Sequence, residues 1–479
     1  MAQINAAKIA KSGLWVSASF MFAKLSKFIT QLFLARLLSP DDFGVWGMVL
    51  LVTTLSTLFE DSTIAGVLVQ RGLDDKKLVN AVYSLGVNVS VGLFFIQALA
   101  GFLVAQFFGV PLLWPLIAFT SIVYLIRAGA GSHSAVLQRQ MKFRELAICN
   151  GASSLARLSG AFICAVLGGG VWSFAVGAIA SATVGSALKH WFSRYHFTYH
   201  LIPDSSAVKE VRSYISSLIG INLAVYANTN GDNFIIGKLL GVQALGYYNM
   251  AYQLAMLPGF ALSRLNRVNF SVLSQQDSQG QKIYVRRMLE LYALVSAPIH
   301  GIGFVVAPWL IPLMYGPDWT EVVPIFQILL VFAYARIFMA ILGTTLNALD
   351  KPNINAAINW VLVPLSLPTF FVGAWLGGIT GVAIAVALVM GVGATAWFWI
   401  ATCRTAKWNL VSLLKPTLLP TATVCLALVP ATIVPLSMPL KALLQPLFIL
   451  VVYGIVLSVF SRGEIPRKLI TTIKSLISE

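Results

Sequence analysis

Apolar stretches long enough to cross a bilayer recur along this chain, and that spacing leaves few folds open to it. A bilayer core takes about 20 apolar residues per helix. Fourteen runs of that kind, bounded by Gly, Pro or charge, span 12–36, 43–67, 79–107, 113–138, 145–168, 171–193, 212–239, 244–268, 287–314, 321–347, 354–376, 379–402, 413–436 and 441–460. Backbone groups in lipid must be satisfied within the segment itself, so runs of this length are helices. Of the 479 residues, 58% are hydrophobic and 10% are charged, too few charges to cover a soluble domain of this size. The chain therefore reads as an all-α polytopic membrane protein with about fourteen transmembrane helices. The first run leads straight into a hairpin and reads as a retained span, not a cleaved signal.

The formal charge of +16 invites a nucleic-acid reading, but the bases do not gather into one patch. They recur in every second loop. Arg71, Lys76 and Lys77 are followed by Arg139, Lys142 and Arg144, and then by Lys189, Arg194 and Lys209. The alternate loops, "SPDD", "GVPL", "GGGV", "GVQALG", "YGPDWTE" and "LGGIT", carry no Lys or Arg. Lys441 alone breaks the pattern. Positive charge stays on the cytoplasmic side. Both termini are thus expected in the cytoplasm, with the chain crossing the membrane many times. The tail 462–479 contains "RKLITTIKSLISE", which reads as an amphipathic helix on the inner leaflet or as a solvated tail.

The chain also repeats itself. "FLARLLSPDDFGVWGM" at 33–48 is written again as "IIGKLLGVQALGYYNM" at 235–250. Leu37 matches Leu239, Leu38 matches Leu240, Gly44 matches Gly246 and Met48 matches Met250. Arg36 meets Lys238 and Trp46 meets Tyr248. A second echo pairs Arg127 with Arg336, Leu137 with Leu346 and Lys142 with Lys351. The first six spans and the next six are then two parallel copies, a transporter arrangement with a cavity between lobes. The expected division is a lobe at 1–200, a lobe at 201–408, two additional helices at 409–461 and the tail at 462–479. Arg36 and Lys238 end a helix before a tight turn, where a cation meets the C-terminal dipole, or alternatively a substrate.

Polar residues inside spans are costly and face a partner or a cavity. Lys24, Lys27 and Gln31 share one face of span 1, and Tyr226, Thr229 and Asn233 are their mates in span 7. Two such stripes suit a wet cavity, or else interhelical hydrogen bonding. Arg127 and Arg336 suit phosphate or pyrophosphate held by forked bonds, or an ion pair with a buried acid. The acids in reach are Glu60, Asp61 and Asp232, which are also candidates for binding a coupling ion or for gating. Arg157 finds no assignment. Glu290 pairs at the interface with Arg286 and Arg287. His133 and His300 read as hydrogen-bonded core histidines. Cys149, Cys164, Cys403 and Cys425 show no CxxC or disulfide spacing, and the five histidines show no metal spacing. No cofactor, metal or catalytic residue is expected.

Taken together, "FLARLLSPDDFGVWGM", "GVLVQRGLDDKKL", "LQRQMKFRELA", "LGGGVWSFAVG", "LGYYNMAYQLAMLP" and "LIPLMYGPDWTEVVPIFQIL" carry a resemblance over nearly the whole chain. The chain resembles the polysaccharide-exporting flippases of the multidrug/oligosaccharidyl-lipid/polysaccharide superfamily, in its O-antigen-type, colanic-acid-type and teichuronic-acid-type branch. The resemblance implies two six-helix lobes around a central cavity plus two further helices. It also implies transport, without ATP hydrolysis, of an undecaprenyl-pyrophosphate-linked oligosaccharide from the cytoplasmic to the outer leaflet. An H+ or Na+ coupling ion and other polysaccharide-assembly proteins are possible partners. A drug antiporter on the same scaffold would need an acidic or aromatic cavity, whereas the charges within these spans are mainly basic. A membrane polymerase or ligase would need a long outer loop, and there is no nucleotide-binding or metal signature.

Overall fold

The computed structural model describes residues 6–63, 65–263, 265–433 and 438–460. Among them there is helix and connecting turn but no strand. In chain order the helices are α1 Ala6–Leu37, α2 Pro40–Thr63, α3 Ala65–Arg71, α4 Lys76–Phe108, α5 Leu113–Arg127, α6 Ala130–Arg139, α7 Phe143–Val166, α8 Trp172–Ser193 and α9 Ser205–Leu239. They continue as α10 Val242–Ser263, α11 Leu265–Leu273, α12 Ser278–Tyr315, α13 Val322–Ala348, α14 Pro352–Ala385, α15 Ala394–Ala406, α16 Leu410–Ile433 and α17 Met438–Phe460. Each apolar run of the sequence falls mainly on helix over its described residues, the run 113–138 being divided between α5 and α6. The amphipathic tail at 462–479 lies outside them.

Among the described residues, seven helices are long and apolar enough to cross a membrane by length and composition. An eighth span is the pair α5–α6, bent by 43°. One of the seven is a continuous run of 55 residues, Pro352–Ala406, far longer than one crossing needs. It is a helical hairpin. Gly378 turns the chain at φ 56° and ψ −139°, a conformation open to glycine alone. Past the turn, a Cβ on Gly381 would stand 2.0 Å from the Gly373 carbonyl oxygen, so the two arms touch backbone to backbone. α15 follows through a π-helical segment at Val386–Gly393. The chain is a multi-pass, all-α membrane protein.

Local chemistry sets the helix ends. "SPDD" is a capping box: Ser39 N donates to Asp42 Oδ2 at 3.0 Å, and Asp42 N donates to Ser39 Oγ at 3.3 Å. Asp75 caps α4, accepting from Lys77 N at 2.9 Å and Leu78 N at 3.2 Å. Span 4 breaks at Gly129, φ 78°, where the ring of Tyr83 leaves no room for a side chain.

The chain forms two compact units, Met1–Gly246 and Tyr247–Glu479. In the first, α1 lies along α7, α7 along α8, α4 along α5, and α9 on α2 and α4. Small residues bring α7 and α8 together: a Cβ on Gly177 would lie 2.8 Å from the Arg157 carbonyl oxygen. In the second, α12 packs against α13, α16 and α17, and α13 against α14 and α15. The repeated hairpins α1–α2 and α9–α10 open consecutive copies in the sequence. Even so, α9 and the first turn of α10 belong to the first unit.

The connector between α8 and α9 is extended and tied to α4. Asn80, Ser84 and Asn88 stand four apart on one face of α4. Thr198 N donates to Asn80 Oδ1 at 3.1 Å, His200 N to Ser84 Oγ at 2.9 Å, and Asn88 Nδ2 to the Leu201 carbonyl oxygen at 2.9 Å. Phe197 stacks on Tyr83 with ring centroids 4.6 Å apart.

Candidate substrate site

The first unit gathers cations from three helices. Lys24 and Lys27 lie one turn apart on α1, and the Lys24 ammonium sits 5.5 Å from the centre of the Phe20 ring. Lys27 lies within electrostatic reach of both Lys24 and Arg157, and Arg157 within reach of Arg127. Lys27 and Arg157 are exposed; Lys24, Gln31 and Arg127 are half-buried. Arg157, on α7, is the residue that the sequence left without a role. No repeat mate or helical spacing marked it, because its neighbours come from α1 and α5.

Arg127 is the last residue of α5, at the bend. A helix end in mid-span presents unsatisfied carbonyls, whose dipole favours a cation there. Its repeat mate differs. Arg336 lies within the unbroken helix α13 of the second unit, where its Nη1 donates to Tyr252 Oη at 3.1 Å. Its guanidinium also sits 5.6 Å from the centre of the Phe332 ring. The repeat in sequence therefore puts the two arginines into unlike local structures. One ends a broken helix; the other bonds the Tyr252 hydroxyl beside the Phe332 ring within one unit.

The polar stripe of α9 is largely engaged in packing. Tyr226 Oη donates to the Leu51 carbonyl oxygen of α2 at 2.6 Å. Thr229 Oγ1 returns to Val225 O at 2.7 Å, and Asn230 Nδ2 to Tyr226 O at 3.1 Å. Asp232 is 2% exposed and Asn228 6%, both on the buried face of α9. Asn233 N donates to Asp232 Oδ1 at 2.8 Å, and Asn233 Oδ1 is buried without a hydrogen-bond partner. The side chains of Glu60 and Asp61, on α2, lie outside the described residues, as does that of Asn222.

The corner between α9 and α10 explains Lys238. Its ammonium hydrogen-bonds the Phe107 carbonyl oxygen and lies 4.5 Å from the centre of the Phe107 ring. The cation thus meets a helix C-terminus, that of α4 instead of its own. His133 is a core histidine, with Nδ1 2.6 Å from Ser193 Oγ and Nε2 3.1 Å from His190 Nδ1. Among the described residues no group of three or more His, Cys, Asp or Glu is placed to hold a metal.

A cluster of four cations from α1, α5 and α7, on a multi-pass helical scaffold, is suited to an anion that must leave water. The sequence pattern of polysaccharide biosynthesis proteins matches residues 33–324 of this chain. The chain belongs to that family. It is 25% identical over 367 residues to the lipopolysaccharide biosynthesis protein WzxC of Escherichia coli strain K12, a match that covers 74% of this chain and 73% of that one. It is 24% identical over 392 residues to the teichuronic acid biosynthesis protein TuaB of Bacillus subtilis strain 168, covering 76% and 80%. Among solved structures, the lipid II flippase MurJ in an inward closed conformation superposes with a TM-score of 0.77 at 14% identity, covering 94% of this chain and 99% of MurJ. An inward-facing multidrug transporter of the MATE family superposes with a TM-score of 0.62 at 15% identity, covering 84% and 99%. At these identities the superpositions establish the fold that this family member adopts.

Proposed function

We propose that this chain is a flippase that carries an undecaprenyl-pyrophosphate-linked oligosaccharide from the cytoplasmic to the outer leaflet by alternating access. The observation that carries the proposal is the convergence of Lys24, Lys27, Arg127 and Arg157 from α1, α5 and α7. Lys27 feels the charges of Lys24 and Arg157, and Arg157 that of Arg127, a disposition that suits an anion. A pyrophosphate is such an anion, and fixed cations offset part of its cost in crossing a hydrocarbon layer. Arginine adds forked, charge-assisted bonds that a phosphate accepts. Gln31 lies one turn beyond Lys27 on α1, Tyr226 and Asn233 are the repeat mates of Lys24 and Gln31 on α9, and Arg336 is the repeat mate of Arg127.

In this reading the lobes at 1–200 and 201–408 are the alternating halves, with the helices at 409–461 added to the second. Both termini are cytoplasmic, and the protein resides in the bacterial inner membrane. The protein moves its cargo and does not make or break a bond. Glu60, Asp61 and Asp232 are the carboxylates that this reading assigns to binding a coupling H+ or Na+ or to gating release. Transport proteins among the relatives, such as the succinoglycan biosynthesis transport protein ExoT of Rhizobium meliloti strain 1021, support the direction of this reading. A drug antiporter on the same scaffold is the second reading, and the basic cluster weighs against it because cationic drugs would be repelled.

Complementation of a strain lacking its own exporter tests the proposal. Arg127→Ala and Lys24→Ala are expected to abolish polysaccharide export while the protein reaches the membrane in normal amount. Arg127→Lys keeps the charge but loses the fork, and most of the activity goes with it. If the alanine variants of Lys24, Lys27, Arg127 and Arg336 all export normally, the cationic site is wrong.

A further inference from the structure

The connector between α8 and α9, residues 194–204, ends in an apolar tip. Leu201 is 74% exposed and Ile202 85%, the largest fraction for any large apolar side chain among the described residues. Tyr199 is exposed beside them, and so is Trp191 in the last turn of α8. The path of the connector sets the level of that tip. It runs down α4, bonded by Thr198 at Asn80, by His200 at Ser84 and by Leu201 at Asn88. Tyr199 Oη donates to Asn88 Oδ1 at 2.8 Å, at the same level as Leu201. The chain bends at Leu201 and Ile202 and then climbs back, because Asp204 Oδ2 lies 2.9 Å from Lys77 Nζ in the first turn of α4. The connector is thus a short re-entrant loop with Leu201 and Ile202 at its turn.

The face of α4 under the loop shows what the tip meets. Asn80, Ser84 and Asn88 run on at helical spacing into Val91, Phe95, Leu99 and Phe102, all four exposed. α4 is long and apolar enough to cross a membrane, and a stripe of this kind belongs against hydrocarbon and not water. The polar steps at its near end are closed off by the loop. Both ends of the Asn88 amide are bonded to the loop, and Ser84 is buried beneath it, with its Oγ donating to the Asn80 carbonyl oxygen at 2.7 Å. Polar groups left open to lipid would be costly.

Length fixes the depth. α4 has 33 residues. That is about 50 Å of helix, against about 30 Å of hydrocarbon. The turn 109–112 is short and uncharged, so α4 fills the hydrocarbon up to its C-terminal end. Counting about 20 residues back from Phe108 puts the other edge near Val89. Asn88 and the tip of the loop therefore stand at the boundary of acyl chains and headgroups. The exposed side chains sort by level in the same way. Thr198 and His200 lie nearer the start of α4, and Leu201 and Ile202 lie at the acyl edge. Arg194 before the loop and Lys209 after it are exposed cations, suited to lipid phosphates.

We propose that the connector 194–204 is a membrane anchor, with Leu201 and Ile202 inserted into the leaflet at the N-terminal end of α4. In the expected topology this is the inner leaflet. Tyr199 and Trp191 belong to the ring of aromatic side chains found at headgroup level. Thr198 N, His200 N and the Leu201 carbonyl have partners on α4. Headgroups and their water serve the remaining backbone of the loop, which hydrocarbon could not, so the loop goes no deeper. The connector joins the two sequence repeats, and the anchor ties their junction to the bilayer. The inference rests on the multi-pass fold and not on the flippase reading.

The test places a nitroxide at single cysteines of the full chain, with Cys149, Cys164, Cys403 and Cys425 replaced by serine. The protein sits in nanodiscs of phosphatidylethanolamine and phosphatidylglycerol. Power saturation compares collision with oxygen, which concentrates in lipid, and with nickel(II) ethylenediaminediacetate, which stays in water. Labels at Leu201→Cys and Ile202→Cys are expected to meet oxygen several-fold more than the nickel complex, as a label at Leu99→Cys does. Gln279→Cys and His196→Cys are expected to show the reverse. Leu201 and Ile202 are exposed, so neither substitution removes a packing contact, and thermal unfolding close to that of the parent verifies the fold. An Ile202 label that favours the nickel complex as strongly as Gln279→Cys puts the tip in water and overturns the proposal. So does a label that neither reagent reaches, because protein, such as the tail 462–479, then covers the tip. A Leu99 label that favours the nickel complex overturns it as well, since the stripe below the loop would then line water.

Discussion

Gly44 and Gly246 hold the same place in the two copies of the repeated hairpin, and in the fold they meet. A Cβ on Gly246 would lie 3.1 Å from the Gly44 nitrogen and 2.0 Å from the Pro40 carbonyl oxygen. A Cβ on Gly44 would lie 1.8 Å from the Val242 carbonyl oxygen. The obstructing atoms are backbone, which cannot swing aside as a side chain can. The repeat is therefore also an interface in which each hairpin supplies the flat surface the other needs. Gly44→Ala or Gly246→Ala is expected to destabilise by about 1–3 kcal/mol, the usual cost of overpacking, and to lower export at normal expression. Gly92→Ala, where nothing lies within 4 Å of the new Cβ, is the control and is expected to be neutral or slightly stabilising. Thermal unfolding in detergent reads both, and equal midpoints for the three variants would show that the contact is not tight.

Arg157→Ala is expected to abolish export as fully as Arg127→Ala, because the anion needs the cluster as a whole. The double variant should add little to either single one, since residues acting as one site are not additive. Arg36→Ala belongs to another class. It sits in the last turn of α1, before the corner to α2, so the amount of protein in the membrane should fall while export per molecule holds. Immunoblots of membrane fractions beside the export assay separate the two. Normal export by Arg157→Ala would remove that residue from the site.

Much of this was legible because lipid enforces a narrow grammar. A run such as 79–107 has to be helix, and α4 is. Gly377 and Gly378 divide 354–376 from 379–402 in the sequence, and the chain turns there, with both glycines outside helical φ and ψ. The site was legible only in part. Lys24, Lys27 and Arg127 announce themselves as charges inside spans. Arg157 does so too, but its partners lie on α1 and α5, and no spacing along α7 reveals them. The likeness of Arg127 and Arg336 misled in a useful way: Gly129 breaks one helix beside its arginine, and no glycine does so beside Arg336. His300 reads from sequence as a satisfied core residue, but only its Nδ1 is bonded, at Ser296, and its Nε2 is buried without a hydrogen-bond partner.

The basic loops set an expected orientation that labelling can read. With Cys149, Cys164, Cys403 and Cys425 replaced by serine, a cysteine at Asp318, exposed in the turn after α12, should react with an impermeant maleimide from outside. A cysteine at Gln279, exposed at the start of α12, should react only after the membrane is opened. α12 joins the two positions, so labelling of both from outside would mean that this helix does not cross. Labelling of Gln279→Cys alone from outside would invert the whole topology and put the cation cluster's loading side on the wrong face.

The connector between α8 and α9 offers the most finely resolved test. Thr198 and His200 each give their amide hydrogen to one residue of the α4 ladder, Asn80 and Ser84. A net hydrogen bond of this kind is worth about 1 kcal/mol, or about fivefold in an exchange rate. Asn80→Ala should therefore speed hydrogen exchange at the Thr198 amide about fivefold by that measure, and Ser84→Ala should do the same at His200. Each variant should affect its own amide more than the other. Lys77 also reaches the connector, with Nζ 2.9 Å from Asp204 Oδ2, but its side chain is 66% exposed. An exposed pair contributes at most about 1 kcal/mol and is screened by salt, so Lys77→Ala should leave both amides nearly as protected as in wild type. Phe197 stacks on Tyr83 and meets the His133 ring edge-on at 5.0 Å, so apolar contact pins the same segment from its other end. Phe197→Ala should then loosen both amides together. That pattern, one amide lost per ladder residue and both lost with Phe197, follows only if the connector is zipped along α4. Uniform exchange across all four variants would mean that it is not.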